Sequence, residues 1–437
     1  MSPAELIALV CCDLGSIVRG RSVPASDLEE RLEFGVGWVP ANQALTPLGP
    51  VAEPNPFGST GDLRLLPDPD TRVRIGAEAD VGALELMLCD IVETDGRPWE
   101  CCPRRFLRDA LHDLEGELGI RVVASFEHEF QLLSDAPPAA PFSLEAQLRV
   151  QPFAANVMGA LAEAGVQPEL FFSEYAAHQF EIPAEPAEGL VGADRSVVLK
   201  EVVREVARRE GVRATFAPLL EPAGSGNGVH IHLSLLDAAG SPALYDAARP
   251  GCLSELGERF AAGILLHARA LIALTAPSPP STARLVPHRW SVGAVCLAQR
   301  NREALLRIPP LVSLAGAGPA PQLRFEYRGA DASANPYLAL GAIVRAGLDG
   351  VRAELPAPPI LDRDPATLDP GEVARYGVGG LPASLGESLR ALEEDQTVRT
   401  WMTPLLYDAY LSVKRAELEA VAAMDVGEVC RRYAAVY

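Results

Sequence analysis

The chain has 437 residues, a formal net charge of −20 and 48% hydrophobic residues. So long and apolar a chain can bury a sizeable core, which excludes global disorder. The acidic excess argues against nucleic acid or an anionic membrane as partner.

The eight cysteines have neither CxxC nor zinc-finger spacing, so a reduced, cytoplasmic protein is expected. The first residues carry no basic run and their apolar stretch breaks at Asp13, so no signal peptide is expected. Residues 1–100 are rich in Pro, Gly and short β-like runs (LIALVCCDL, GDLRLLPD, TRVRI, LELMLCDIV) and read as a small, mostly β domain. CCPR (101–104) reads as the hinge into a second domain, 101–437, in which helices and strands alternate. FLRDALHDLEGEL (106–118) has the spacing of an amphipathic helix. RVVASFEHEFQLL (121–133) alternates as a strand. Glu127 and Glu129 share one face with Ser125 and Gln131, while Val122, Ala124, Phe126, His128, Phe130 and Leu132 share the other. His128 is therefore expected in the core. APPAAP (136–141) is a loop, and Ser143 has the chemistry of a helix N-cap.

Further along, HQFEI (178–182) places Gln179 and Glu181 on one face, with Glu174 just upstream. Asp194 is expected to cap a helix over about 195–210. NGVHIHLSL (227–235) sets His230, His232 and Ser234 against Val229, Ile231, Leu233 and Leu235. FAAGILLHARALIAL (260–274) contains His267 and Arg269 and reads as a buried helix, not a membrane span. ARLVPHRWSVGAVCLAQRNREALLRIP (283–309) carries Arg284, Arg300, Arg302 and Arg307. LRFEYR (323–328) puts Arg324, Glu326 and Arg328 on one face. PAPP (356–359) is a loop, and helices near 384–395 and 403–422 close the chain.

Several strands thus present carboxylate, imidazole or guanidinium on one side and apolar residues on the other. A solvated face would more often carry Thr, Ser and Lys, yet the chain has only two lysines. The pattern predicts a polar cavity lined by a curved sheet. Carboxylates with an imidazole suit Mg²⁺ or Mn²⁺, and arginines suit phosphate or carboxylate. Together they are the equipment of phosphoryl transfer, without a P-loop. A zinc hydrolase using His-x-His and glutamates is an alternative that leaves the arginines unexplained.

In order along the chain, GDLRLLPD, FEHEF, EYAAHQFEI, SGNGVHIHLSL, RLVP, QRNREALLRIP and RFEYRGADASANPYLAL resemble the glutamine synthetase family, over nearly the whole chain. The resemblance implies an α+β fold: an N-terminal β-grasp domain (1–100) on a larger catalytic domain (101–437) with a curved antiparallel sheet. It implies one metal held by Glu129, Glu174 and Glu181 and another held by Glu127, His230 and Glu326. Arg302, Arg307 and Arg324 would face the nucleotide phosphates, with Arg302, Arg324 and Glu326 acting at the transferred group. Arg284 and Arg328, with the Gly226 backbone, would hold glutamate, and His232 and Ser234 would lie toward ATP. A homo-oligomer of stacked rings, decamer or dodecamer, with sites between neighbouring subunits is also implied.

Ammonia-using members carry a glutamate after RLVP-Gly-Tyr that helps deprotonate ammonium. Here the run is RLVPHRWS, with Trp290 at that position. Their N-terminal ammonium-binding aspartate aligns with Val39 or Pro40 in GVGWVPAN (35–42). Loss of both anions resembles the γ-glutamyl-amide synthetases, which join glutamate to an organic amine. No acidic set for the distal cation of a polyamine is identified, which favours a monoamine. Ser225 stands where ammonia-using members place an asparagine. The alternatives are an ammonia-using glutamine synthetase and an inactive regulatory or structural homologue.

Overall fold

The computed structural model describes residues 5–78 and 82–437. The N-terminal sheet consists of β1 (Leu6–Cys12), β2 (Val18–Pro24), β3 (Val36–Trp38), β4 (Leu63–Pro67), β5 (Val73–Glu78) and β6 (Gly82–Glu93). Its order is β2-β1-β6-β4-β3, with β5 also on β6. β1 and β6 pair in parallel, which is the β-grasp arrangement, and the other pairings are antiparallel. The four apolar runs expected as strands are β1, β4, β5 and β6. β2, with the sequence VRGRSVP, escapes the periodicity because only Val23 of its seven residues is buried.

The junction at 101–104 is a buried joint, not a free hinge. Cys101 and Cys102 are buried, and Pro103 opens the helix Pro103–Leu118. The Arg104 guanidinium bonds Asp194 at 2.8 and 2.9 Å, Asp68 at 2.7 Å and Asp90 at 3.3 Å. A cation 4% exposed needs such partners, because removing it from water unpaired is costly. Asp194 is consequently not a helix cap: it lies inside the helix Gly189–Arg209, where it takes Arg104 and the Tyr337 hydroxyl. Ser143 does cap, accepting the Ala146 amide.

The second sheet has nine strands: β7 (Arg121–Leu133), β8 (Phe172–Ser173), β9 (Gln179–Pro183), β10 (Ala187–Glu188), β11 (Arg213–Thr215), β12 (Val229–Leu236), β13 (Ala294–Ala298), β14 (Ala304–Arg307) and β15 (Phe325–Tyr327). The order is β13-β14-β15-β12-β7-β9-β8, with β10 and β11 both on β7. All pairs are antiparallel except β13 with β14. Helices cover its apolar face. Val122, Ala124, Phe126, Phe130, Ile231 and Leu233 are buried as expected. His128 joins them at 2% exposure, with Nε2 2.8 Å from Ser196 Oγ while Nδ1 has no partner. Burial, with Lys200 nearby, lowers its pKa to about 3, so the ring is neutral.

The apolar run 260–274 is two helices, Glu255–Leu266 and Ala268–Thr275, meeting at His267. His267 is held between Asp395 (2.7 Å) and Asp349 (3.0 Å), an arrangement that periodicity cannot report. Helices Leu385–Glu394 and Pro404–Val421 fall where expected, but Gln396–Trp401 lies between them and Val426–Ala434 follows them. No helix among the described residues is long and apolar enough to cross a membrane.

Candidate active site

Strand register builds the site. Across β7 and β12, His230 stands opposite Glu127; across β7 and β9, Glu181 stands opposite Glu129. His232 and Arg307 both stand opposite Glu326 of β15, on its two sides. Directly opposed residues share a face and nearly touch, so period-two alternation in five strands brings these groups together. They line a cavity of about 850 Å³ with Glu174, Gly226, Trp290, Arg302, Arg324 and Arg328. A second cavity of about 340 Å³ shares Glu127, His232 and Arg324 with it and adds Ser234.

Glu129, Glu174 and Glu181 crowd one end. Burial and the Glu129 charge push Glu174 up to about 7. Burial, then Glu129, Glu127 and Glu174, push Glu181 well above the usual carboxylate range. Three carboxylates crowded together in this way form an oxygen donor set suited to a hard divalent cation. Glu129 is oriented by the Gly228 amide (2.8 Å) and by Gln179 Nε2 (3.2 Å).

At the other end, ligand atoms of Glu127, His232 and Glu326 lie within 4.8 Å of one another. The tightest group thus contains His232, where His230 was expected. The hydrogen bonds assign the two rings different roles. Arg324 Nε can only donate, and it donates to His232 Nδ1 at 3.1 Å. With Nδ1 so occupied, the proton of a neutral His232 sits on Nε2, which lies 2.9 Å from Glu127 Oε1 but makes no hydrogen bond there. His230 places Nδ1 3.3 Å from Glu127 Oε2, with Nε2 toward Glu129 at 3.9 Å. Its Nε2 is then the free imidazole donor, between the two acidic groups. Burial opposes ionisation of Glu127, but His232 and His230 outweigh it and hold that carboxylate well below its ordinary range. The donor set fits two divalent ions: hard oxygens and an imidazole, with no cysteine lining the cavity.

Glu326 is gripped by Arg307 Nη1 at 2.6 Å and by Arg328 Nη1. Burial pushes its pKa up, but Arg328, the two histidines and Arg307 together bring it down to about 2. Each oxygen keeps a second lone pair. Arg328 Nε also donates to the Arg302 carbonyl at 2.7 Å. Arg284 departs from expectation, since it does not line the cavity. It lies beneath the Gly226–Gly228 loop at 4% exposure, donating to the Gly329 and Ala330 carbonyls at 3.2 and 2.9 Å. Buried under the loop, it props the glycine segment from behind.

Trp290 is 58% exposed at the mouth. Its ring stacks on Tyr175, centroids 5.1 Å apart, and meets Phe142 at 5.6 Å. Sequence reading missed both partners. Tyr175 adjoins Glu174, a signal of sorts, whereas Phe142 ends a proline-rich loop and gave none. It also missed Glu303 and His288, which line the same cavity as Trp290. Val39 and Pro40 lie at the start of a 3₁₀ turn in the N-terminal domain and do not line the cavity.

Compared with known proteins, residues 100–430 match the glutamine synthetase catalytic domain, and residues 1–99 match the glutamine synthetase N-terminal domain. The chain is 34% identical over 437 residues to the gamma-glutamylpolyamine synthetase GlnA3 of Streptomyces coelicolor, covering 98% of this chain and 92% of that one. Among solved structures, it superposes on a novel glutamine synthase homolog with TM-score 0.93 and 46% identity, covering 100% and 99% of the two chains. It superposes on a GmaS/ADP complex with TM-score 0.82 and 27% identity, covering 97% and 95%.

Proposed function

This chain belongs to the glutamine synthetase family, and from that premise we propose that it joins glutamate to an organic amine as a γ-glutamyl amide, using ATP with Mg²⁺ or Mn²⁺. The observation that carries the amine class is the aromatic mouth. Trp290, Tyr175 and Phe142 present ring surface where ammonia-using members place an anion. Ammonium needs anionic or carbonyl partners; a carbon-bearing amine also gains from apolar contact.

In this reading the glutamate γ-carboxylate attacks the γ-phosphorus of ATP, ADP leaves, and the amine then displaces phosphate from γ-glutamyl phosphate. Divalent ions bound by Glu129, Glu174 and Glu181, and by Glu127, His230 and Glu326, would neutralise charge on the transferring phosphoryl group. Arg302, Arg307 and Arg324 serve the phosphates, with Arg302, Arg324 and Glu326 around the reacting group. The second cavity, with His232 and Ser234, takes the rest of the nucleotide. Arg328 and the Gly226 backbone hold glutamate, and Arg284 acts by supporting that loop. We place the domain border at 100/101 and the protein in the cytoplasm, the latter because its eight cysteines are free.

A second reading, glutamine synthesis from ammonium, draws on the Glu303 carboxylate at the mouth. Phosphate release with ATP, Mg²⁺ and glutamate, amine by amine from ammonium through methylamine, isopropylamine, ethanolamine and putrescine to aniline, decides between them. We expect turnover with an organic amine and little with ammonium. Ammonium as the best substrate overturns the amine class.

A further inference from the structure

The second step needs a base. An amine reaches the site as an ammonium ion at neutral pH and can attack only after losing a proton. Trp290 stands where a carboxylate would take it, so another group must. Seven carboxylates other than Glu303 are candidates by position, and the cavity narrows them. Glu127, Glu129, Glu174, Glu181 and Glu326 are assigned to metals. Glu169 lines the second cavity as well as the first, on the nucleotide side. Asp364 does not line the cavity. Glu303 remains, on the turn before β14, lining the same cavity as Trp290 and one residue from Arg302.

Its placement is built. Glu303 Oε1 accepts the His288 amide at 2.9 Å, which ties it to the loop carrying Trp290. The Gly293 amide bonds the Glu303 carbonyl at 2.9 Å. A Cβ at Gly293 would lie 2.7 Å from Glu303 Oε2, so the glycine makes room for this carboxylate. His288 Nδ1 is 3.3 Å from Glu303 Oε1, and its imidazole is exposed at the mouth, with Nε2 3.9 Å from Asp364. The residue after RLVP is thus an imidazole that links Glu303 to solvent.

We propose that Glu303 is the general base of amide formation, with His288 positioning it and passing the proton to solvent. This rests on the ligase reading above. The ammonium gives a proton to Glu303, and the freed nitrogen lone pair attacks the γ-carbonyl carbon of γ-glutamyl phosphate. The C–N bond forms as the C–O bond to phosphate breaks. Phosphate leaves with that electron pair, and the second nitrogen proton goes to water.

The test compares Glu303→Gln with the native protein on an alkylamine, on ammonium and on hydroxylamine, which is largely unprotonated at neutral pH and needs no base to free its lone pair. We expect kcat with the alkylamine and with ammonium to fall roughly 100-fold, while hydroxamate formation changes by less than about threefold. Raising the pH should restore the variant's alkylamine rate about tenfold per unit as free amine accumulates. Glu303→Asp should recover part of the loss, and His288→Ala should lower kcat more than it raises KM. Equal losses on all three nucleophiles, or none on any, overturn the proposal. Hydroxamate formation also reports folding. If the native protein uses ammonium and refuses organic amines, the amine class fails, yet the ratio of ammonium to hydroxylamine rates still decides the role of Glu303.

Discussion

Glu174 and Glu181 share a pocket with Glu129 that a divalent cation would relieve. The Glu174 carboxyl is held up to about 7 by burial and then by Glu129, and Glu181 is shifted in the same direction. In the unfolded chain such groups lose their protons near the ordinary glutamate value of about 4.3. Between those two pH values the metal-free fold holds more protons than the unfolded chain, so its stability falls as pH rises across that window. Glu127 and Glu326 are shifted downward and act below it. A bound cation replaces the protons. Titration calorimetry with Mg²⁺ at about pH 6 should therefore release more than one proton, and at about pH 8 fewer. The Tm of metal-free protein should fall from about pH 5 to about pH 7, while that of Mg²⁺-saturated protein should not. A flat metal-free Tm with no proton release would remove this cluster from metal binding.

Elements meet closely at two glycines, and the two contacts have different consequences. Helix Glu255–Leu266 crosses helix Pro336–Arg352 so tightly that a Cβ at Gly263 would sit 2.0 Å from the Ala346 carbonyl. In the loop before β12, a Cβ at Gly226 would sit 2.0 Å from the Pro218 carbonyl and 2.8 Å from the Arg284 side chain. Gly263→Ala is expected to cost about 1–3 kcal/mol of stability as the helices part, leaving turnover per folded molecule unchanged. Gly226→Ala is expected to lower Tm as well and, unlike Gly263→Ala, to lower kcat/KM at least about tenfold, because the loop lies against the cavity. Melting curves beside kinetics check both; a lower Tm with unchanged kcat/KM in Gly226→Ala would mean that Arg284 and its loop are only structural. The strand-borne part of this site was legible in the sequence. Alternation with period two fixes which side chains share a face, and a slip of one residue would have turned Glu127, His230 and Glu326 into the core. Groups brought by loops were not legible. Phe142, Glu303 and His288 follow no period, and the burial of Arg284 depends on carbonyls of residues 329 and 330, some forty-five positions away. Asp194 misled as a cap for the same reason: its partner Arg104 lies 90 residues upstream.

At the scale of the molecule, among the described residues the cavity takes its lining from positions between Glu127 and Arg328, and none from the N-terminal domain. That domain exposes Phe34, Val39 and Val51. Exposed apolar side chains of this size can be buried by a partner, and closed rings are the common way to bury the same surface on every copy. We propose that a neighbouring subunit's N-terminal domain completes the mouth, in stacked rings forming a decamer or dodecamer. Light scattering on the native protein is then expected to return such an assembly. Val39→Asp adds a charge at an exposed position, where a lone chain would tolerate it within about 0.5 kcal/mol. In a ring the same charge would be buried without a partner, so the assembly should dissociate and activity fall with it, while circular dichroism stays unchanged. A native protein that is fully active as a single chain would show instead that the Trp290 mouth needs no neighbour to close it.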